Sequence, residues 1–374
     1  MKKILVVASD AGGTNALINP VSKIRDEDRV TLTLIGYSTA RDILNSKGIS
    51  FNIIQDYNIK NLQISSFNKI IDYESPDLVL TGVSLNNSEK YAIHAAKKAS
   101  IPSISLLPGH PPNYVLIFSD YDLKEPFKYI PDYICISDKY SLKDMIKVGF
   151  PLDKLVITGN PYYDDLFNLQ NSFTQEEANK FKVRLSISEN NYVVTFVSQY
   201  NLARMHNDKN YNPGYTEIDS LRISYKELRN ILKDDLFLIV KLHLDKKEKL
   251  KSTKKAIPNN PANVVFLRDD DTLKHIIISD LVLGMTSNPL FGAIYLDKDV
   301  VSVQPNLIGQ DTLITNRLGL SVPVYTEKNL KPTLEKIIFD KEFKKELKQR
   351  RSNLKLDGKS TERVVDFIYK MLGV

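Results

Sequence analysis

A chain of 374 residues, 42% hydrophobic and 26% charged, has the balance of a folded globular protein and enough length for two domains. No apolar run approaches the roughly 20 residues of a bilayer span, and a single cysteine, Cys135, excludes an internal disulfide framework and any multi-cysteine metal site. The net charge of +6 arises from 51 basic and 45 acidic residues that interleave, which argues against nucleic acid as a partner and leaves cytoplasmic location as the expectation.

Strands are predicted, in chain order, over Lys3–Ala8, Val30–Ile35, Leu78–Thr81, Ser103–Leu107, Tyr133–Ile136 and Leu155–Thr158. Between them, helices are predicted over Thr14–Ile24, Ser38–Ser46, Ser65–Tyr73, Ser88–Ala99 and Lys139–Lys147. The first run is read as a buried strand, not a signal peptide, because its apolar stretch of about five residues stops at Asp10. A segment without apolar pattern, about 167–175, is expected to be a linker. The alternation then restarts with strands over Tyr192–Val197, Phe237–Lys241, Val264–Leu267, Leu281–Leu283, Val300–Val303 and Val322–Val324. Helices follow at Ser220–Ile231, Thr272–Ile278, Pro289–Tyr295 and Leu330–Phe339. The stretch 207–214 reads as a mobile loop, and Asp269–Asp271 as a helix N-terminal cap cluster. The lysine-rich runs 241–251 and 341–351 carry interleaved acids and read as solvated helix faces; peripheral attraction to an anionic membrane stays open as a second use. Apolar strands that lack period-2 polarity, alternating with helices, indicate an α/β protein with two doubly wound parallel sheets. The expected domains are 1–166 and 176–360, with a final helix, 361–374, packing back on the first.

Two strand ends carry small, polar turns that open into helices: Asp10-Ala-Gly-Gly-Thr-Asn15 and Gly284-Met-Thr-Ser-Asn-Pro289. Helix starts present free N–H groups and the positive end of the dipole, so each turn suits an anionic ligand group. Capping alone also explains Ser287, Asn288 and Pro289. Gly12 and Gly13 permit close backbone approach and positive φ, but they do not form a dinucleotide fingerprint. Asp10 is a candidate general base or a loop cap. His110, between prolines in Pro108-Gly-His-Pro-Pro112, is the first candidate for an acid–base group. Lys241 and His243 share one face if their strand persists. Gln304 and Gln310 are placed to bond sugar hydroxyls, while His94 and His275 fall in helices without a chemical role. Neither a clustered metal site nor a cofactor is expected.

Three longer segments resemble a known superfamily. They are Val148-Gly-Phe-Pro followed by Lys154-Leu-Val-Ile-Thr-Gly-Asn-Pro161 and Asp164, Leu238-Ile-Val-Lys-Leu-His-Leu244, and Ser279-Asp-Leu-Val-Leu-Gly-Met-Thr-Ser-Asn288 through Ser302. These are similar to segments of GT-B glycosyltransferases and of their relatives, the UDP-N-acetylglucosamine 2-epimerases, over nearly the whole chain. The resemblance implies two Rossmann-like domains facing a central cleft and a nucleotide-sugar donor. It places the donor on Ser198, Gln199, Lys241, His243, Gly284, Thr286, Ser287, Asn288 and Gln304. It places a glycan or lipid-linked acceptor near Gly12, Gly13, Thr14, Asn15 and the candidate catalytic residues His110 and Asp10. The sequence departs from the epimerase pattern where acids are expected: Gly82-Val83-Ser84 follows one strand, and Leu106-Leu-Pro-Gly-His110 ends the next. Phe291-Gly292 likewise replaces a Glu-Ala pair. The leading expectation is therefore a metal-independent sugar transferase in surface polysaccharide or glycoconjugate synthesis. A nucleotide-sugar hydrolase or hydrolysing 2-epimerase is the first alternative, and a non-catalytic binding protein of the same fold the second.

Overall fold

A computed structural model describes residues 1–374 except 112, 121, 200–211, 243–249, 260, 269–271, 353 and 355. The chain divides into two compact units, Met1–Phe167 with Asp357–Val374, and Asn168–Leu356.

The first unit holds a six-stranded parallel sheet of β1 (Lys3–Ala8), β2 (Thr31–Gly36), β3 (Leu78–Thr81), β4 (Ser103–Leu107), β5 (Tyr133–Ile136) and β6 (Leu155–Ile157), in the order β2-β1-β3-β4-β5-β6. Side chains alternate across a strand, and in β1 both faces are buried. Ile4, Val6 and Ala8 pack with Leu17, Val21 and Ile24 of the Ala11–Glu27 helix, whereas Leu5 and Val7 pack with Phe67, Ile70 and Ala95 on the opposite face. That double burial is why the strand reads as a continuous apolar run.

The second unit repeats the plan with β7 (Tyr192–Val197), β8 (Leu236–Lys241), β9 (Val264–Leu267), β10 (Leu281–Gly284), β11 (Asp299–Val303) and β12 (Val322–Val324), in the order β12-β11-β10-β7-β8-β9. All of the expected strands are present, with ends displaced by at most one residue.

The helices differ more. The first begins at Ala11, three residues before the expected Thr14, and so takes Gly12 and Gly13 into its opening turn. The segment 167–175 is not an unstructured linker: the helices Tyr162–Ser172 and Gln175–Arg184 cover most of it. Its signal was a capping box, in which Thr174 accepts from Glu177 N at 3.2 Å while the Glu177 carboxylate accepts from Thr174 N at 2.7 Å. The Ser360–Leu372 helix lies in the first unit, where Val364, Val365 and Ile368 join the β1 core. Asp164 caps it, accepting from Ser360 N at 3.0 Å and Thr361 N at 2.6 Å. The run 341–351 is a helix, but Arg351 turns inward and donates to Leu320 O at 2.8 Å and Lys298 O at 2.9 Å. The expected cap cluster 269–271, His243 and most of the loop 207–214 lie outside the described residues. No helix among the described residues is long and apolar enough to cross a membrane.

Candidate functional site

In an open parallel sheet, ligands bind beyond the carboxyl ends of the strands where the strand order reverses, because the crossover helices diverge there. In the first unit that point lies between β1 and β3, so it is built from Ser9–Asp10 and Ser84–Asn86. In the second it lies between β7 and β10, and the corresponding segments are Ser198–Gln199 and Gly284–Asn288.

Two glycines bring the segments of the first unit together. A Cβ on Gly13 would stand 2.6 Å from Val83 N, and one on Gly82 would stand 2.9 Å from Gly13 Cα. The expectation of positive φ at Gly12 and Gly13 is corrected, since neither adopts it. Gly13 serves instead as a close helix–strand contact, and Thr14 is fully buried with its hydroxyl donating to Asp10 O at 2.8 Å. Burial therefore removes Gly13 and Thr14 from the acceptor surface, while Gly12 is exposed and Asn15 half-buried in the first turn.

Asp10 occupies the helix N-cap position with extended backbone, yet its carboxylate makes no cap hydrogen bond. It faces the β3 loop instead. Asn86 Nδ2 donates to Asp10 Oδ1 at 3.0 Å and also to Ser9 Oγ, and the Leu85 backbone N–H donates to the Asp10 carboxylate. Burial raises the Asp10 pKa, and the Leu85 and Asn86 donors offset only part of that. The net effect makes Asp10 a stronger base than an ordinary aspartate. Asn86 in turn caps the Asn87–Lys98 helix, accepting from Ser88 N at 3.2 Å.

Glu89 was not singled out by sequence reasoning because it lies in the first turn of a helix, where acids are usually solvated. It is buried beside Ser84, whose hydroxyl donates to Glu89 Oε2 at 2.5 Å, and burial pushes its carboxyl up to about 7. A carboxyl thus reaches the place where Ser84 stands for the acid of the resembling segments. The cheap signal was an acid at the third position of a helix whose next turns, through Ala92, Ile93, Ala95 and Ala96, are small and apolar on the buried face.

His110 is held on both sides of its ring. Nε2 lies 2.9 Å from Asp138 Oδ2, and Nδ1 lies 3.2 Å from Tyr114 Oη and 3.3 Å from Ser141 Oγ. Asp138 also caps the Lys139–Lys147 helix through Tyr140 N and Ser141 N. Burial would raise its carboxyl, but the His110 contact and these donors leave it below the ordinary range. Only 5% of the His110 side chain is exposed, so its ring braces the β4 and β5 loops and turns no nitrogen outward. The Thr-Gly-Asn-Pro run has a similar structural use: Asn160 Nδ2 donates to Pro108 O at 2.6 Å. His94 packs near Tyr129, and His275 is buried against Phe181. Beyond β2, a cavity of about 380 Å³ is lined by Tyr37, Ser38, Gln55 and Asn61 and by two cations, Arg41 and Lys60.

In the second unit, the loops after β7 and β10 are tied together. Thr286 donates from both N and Oγ1 to Gln199 Oε1, each at 3.1 Å, and Ser198 N donates to Lys241 O at 2.9 Å. Gly284 lets the Leu290 side chain close over the strand end, 3.0 Å from where its Cβ would stand. Ser287 is the N-cap of the eight-residue Asn288–Tyr295 helix, with Pro289 in the first turn. Its hydroxyl makes no cap bond, and Oγ is buried without a hydrogen-bond partner among the described residues. Capping therefore does not account for this serine. Asn288 is exposed. Two donor-site expectations change. Lys241 is only 3% exposed, with Nζ donating to Leu242 O at 3.1 Å. Gln304 is fully buried, bonded to Tyr215 Oη at 3.0 Å and Ser302 Oγ at 2.9 Å, so its amide braces the core and cannot reach a sugar. Gln310 is exposed.

No protein-family model matches the sequence, and no curated protein matches it. Solved structures do match it across both units, and they define its class as two Rossmann-like domains of the GT-B fold. Among them are the UDP-GlcNAc 2-epimerase of Neisseria meningitidis bound to UDP-GlcNAc and MnaA of S. aureus with UDP. The first has a TM-score of 0.74 at 16% identity, covering 98% of this chain and 100% of that one. The second scores 0.71 at 15% identity, covering 100% and 97%. HepE of Anabaena in complex with UDP scores 0.64 at 15% identity and covers both chains fully.

Proposed function

We propose that the protein binds a nucleoside-diphosphate sugar, in the first instance a uridine one, and cleaves it as a hydrolase or hydrolysing 2-epimerase. The observation that carries this reading is Asp10 at the switch point of the first sheet, a carboxyl raised by burial and held by Asn86 and the Leu85 N–H, with Glu89 buried behind the same loop. Support for the ligand comes from the fold, which is shared with structures of proteins that hold UDP or UDP-GlcNAc. The diphosphate is assigned to the helix start at Thr286–Asn288, where the positive end of the helix dipole lies and the Ser287 hydroxyl has no hydrogen-bond partner among the described residues. Asp10 is assigned as the base. It takes a proton from water, or from the sugar carbon beside the anomeric centre, as the nucleotide leaves. Its raised pKa suits that task better than an ordinary carboxylate would.

Transfer of the sugar to a glycan or lipid-linked acceptor is the second reading. One feature favours it: Ser84 and the Pro108–His110 segment stand where the epimerase pattern has acids. Incubation with UDP-GlcNAc in water alone separates the two. Free UDP with N-acetylglucosamine or its 2-epimer supports hydrolysis, whereas UDP that appears only when an acceptor is added supports transfer. Binding without turnover under both conditions would leave a non-catalytic binder of the same fold.

A further inference from the structure

The contacts around Glu89 allow its proton to be counted. Asn86 uses its Nδ2 hydrogens on Asp10 Oδ1 and Ser9 Oγ, so the atom it turns toward Ser88 is Oδ1. Ser88 Oγ lies 2.7 Å from that Oδ1 and 2.9 Å from Glu89 Oε2. A hydroxyl carries one hydrogen and can satisfy only one of those two acceptors. If Glu89 were ionised, the other contact would set two lone-pair oxygens face to face in a buried site. A proton on Oε2 resolves both contacts of Ser88. Oε2–H then donates to Ser88 Oγ, Ser88 Oγ–H donates to Asn86 Oδ1, and Ser84 Oγ–H donates to Oε2 at 2.5 Å.

Two further observations agree. Glu89 is 2% exposed, and its Oε1 has no hydrogen-bond partner among the described residues. An orphaned carbonyl oxygen costs far less than an orphaned carboxylate oxygen in the same place. The charges nearby are the Asp10 carboxylate and the Lys90 ammonium, and the latter is committed to Leu116 O at 3.1 Å and Ser119 O at 2.8 Å.

We propose that Glu89 is a neutral carboxylic acid in the folded protein and acts as a positioning residue: through Ser88 it fixes the Asn86 amide, and Asn86 presents the ionised Asp10 carboxylate. This deepens the proposed function, and it rests on that reading for the role of Asp10 as a base.

The test is a carboxyl titration of the full-length protein labelled with ¹³C at its Asp and Glu side chains, followed by NMR. One glutamate signal, absent from Glu89→Gln, is expected to stay protonated well above the ordinary carboxylate range. Its midpoint should fall in Asp10→Asn, which removes a facing negative charge. The Asp10 midpoint should hold in Glu89→Gln, because a neutral group replaces a neutral group. A Glu89 signal that titrates with the surface glutamates, or an Asp10 midpoint that drops in Glu89→Gln, would overturn the proposal. Should Glu89→Gln fail to fold, the midpoint of Glu89 in Asp10→Asn against the unsubstituted protein decides alone. No nucleotide sugar is present, so this outcome is read separately from that of the proposed function.

Discussion

Gly13 and Gly82 meet backbone to backbone at the first switch point, with no room for a methyl group on either: a Cβ on Gly82 would lie 2.9 Å from Gly13 Cα. That contact sets the β1 loop against the β3 loop and so brings Asp10 within reach of Asn86. Backbone atoms cannot move aside as a flexible side chain can. Gly82→Ala and Gly13→Ala are each expected to cost roughly 1–3 kcal/mol of stability. Denaturant unfolding measures this loss as a lowered midpoint. Unchanged midpoints would mean that the two loops do not depend on this contact.

The Glu89 carboxyl is held at about 7, against an ordinary 4.5. Below about pH 4.5 the folded and unfolded chains are both protonated there, and the site is neutral to stability. Between about pH 4.5 and 7 the unfolded chain releases its proton while the folded chain keeps it, so stability falls as pH rises and levels off above 7. Glu89→Gln removes this slope. The variant should gain on the unsubstituted protein, by on the order of 1–3 kcal/mol, between pH 5 and pH 8. Parallel stability–pH curves would contradict the raised value.

Asp10→Asn keeps the shape of the side chain and removes its basicity. Turnover is expected to drop about 10²–10⁴-fold with little change in nucleotide affinity. The acid limb of the unsubstituted protein's pH–rate profile should lie above the ordinary aspartate value, because burial raises this carboxyl. His110→Ala should instead act mainly on stability, since the ring is braced between Asp138, Tyr114 and Ser141. A His110→Ala variant with native stability and no turnover would return the base to His110.

The central strands were legible because they are buried on both faces and read as short apolar runs, as β1 does through Ile4 to Ala8, whereas edge strands such as β2 and β6 are only partly covered. The start of the first helix was not legible, because Gly12 and Gly13 resemble a loop until Val83 is seen packed against Gly13. The site was legible by strand end and illegible by side-chain direction. Asp10 and His110 both lie just past strand ends, after β1 and β4, but only the three-dimensional contacts show one ring fully engaged and one carboxylate without a helix-cap bond. Glu89 escaped notice because its environment is made by Ser84 and Ser88, whose small hydroxyls carry no charge signature in the sequence.

Ser287 makes no cap bond, so removing its hydroxyl should leave the unliganded protein nearly as stable as before. If that hydroxyl serves the diphosphate, Ser287→Ala weakens UDP binding by about 0.5–1.5 kcal/mol, or roughly two- to tenfold. Calorimetric titration of both proteins with UDP measures this. Equal affinities would move the diphosphate away from this helix start.

The central claim is that the chain acts on a nucleotide sugar with Asp10 as its base, and turnover of UDP-GlcNAc followed by ¹H NMR in buffered water tests it most directly. The account predicts UDP release by the unsubstituted protein that survives EDTA and is lost in Asp10→Asn, while both proteins still bind UDP. UDP release that persists undiminished in Asp10→Asn, or millimolar UDP-GlcNAc that neither binds nor reacts, would contradict it.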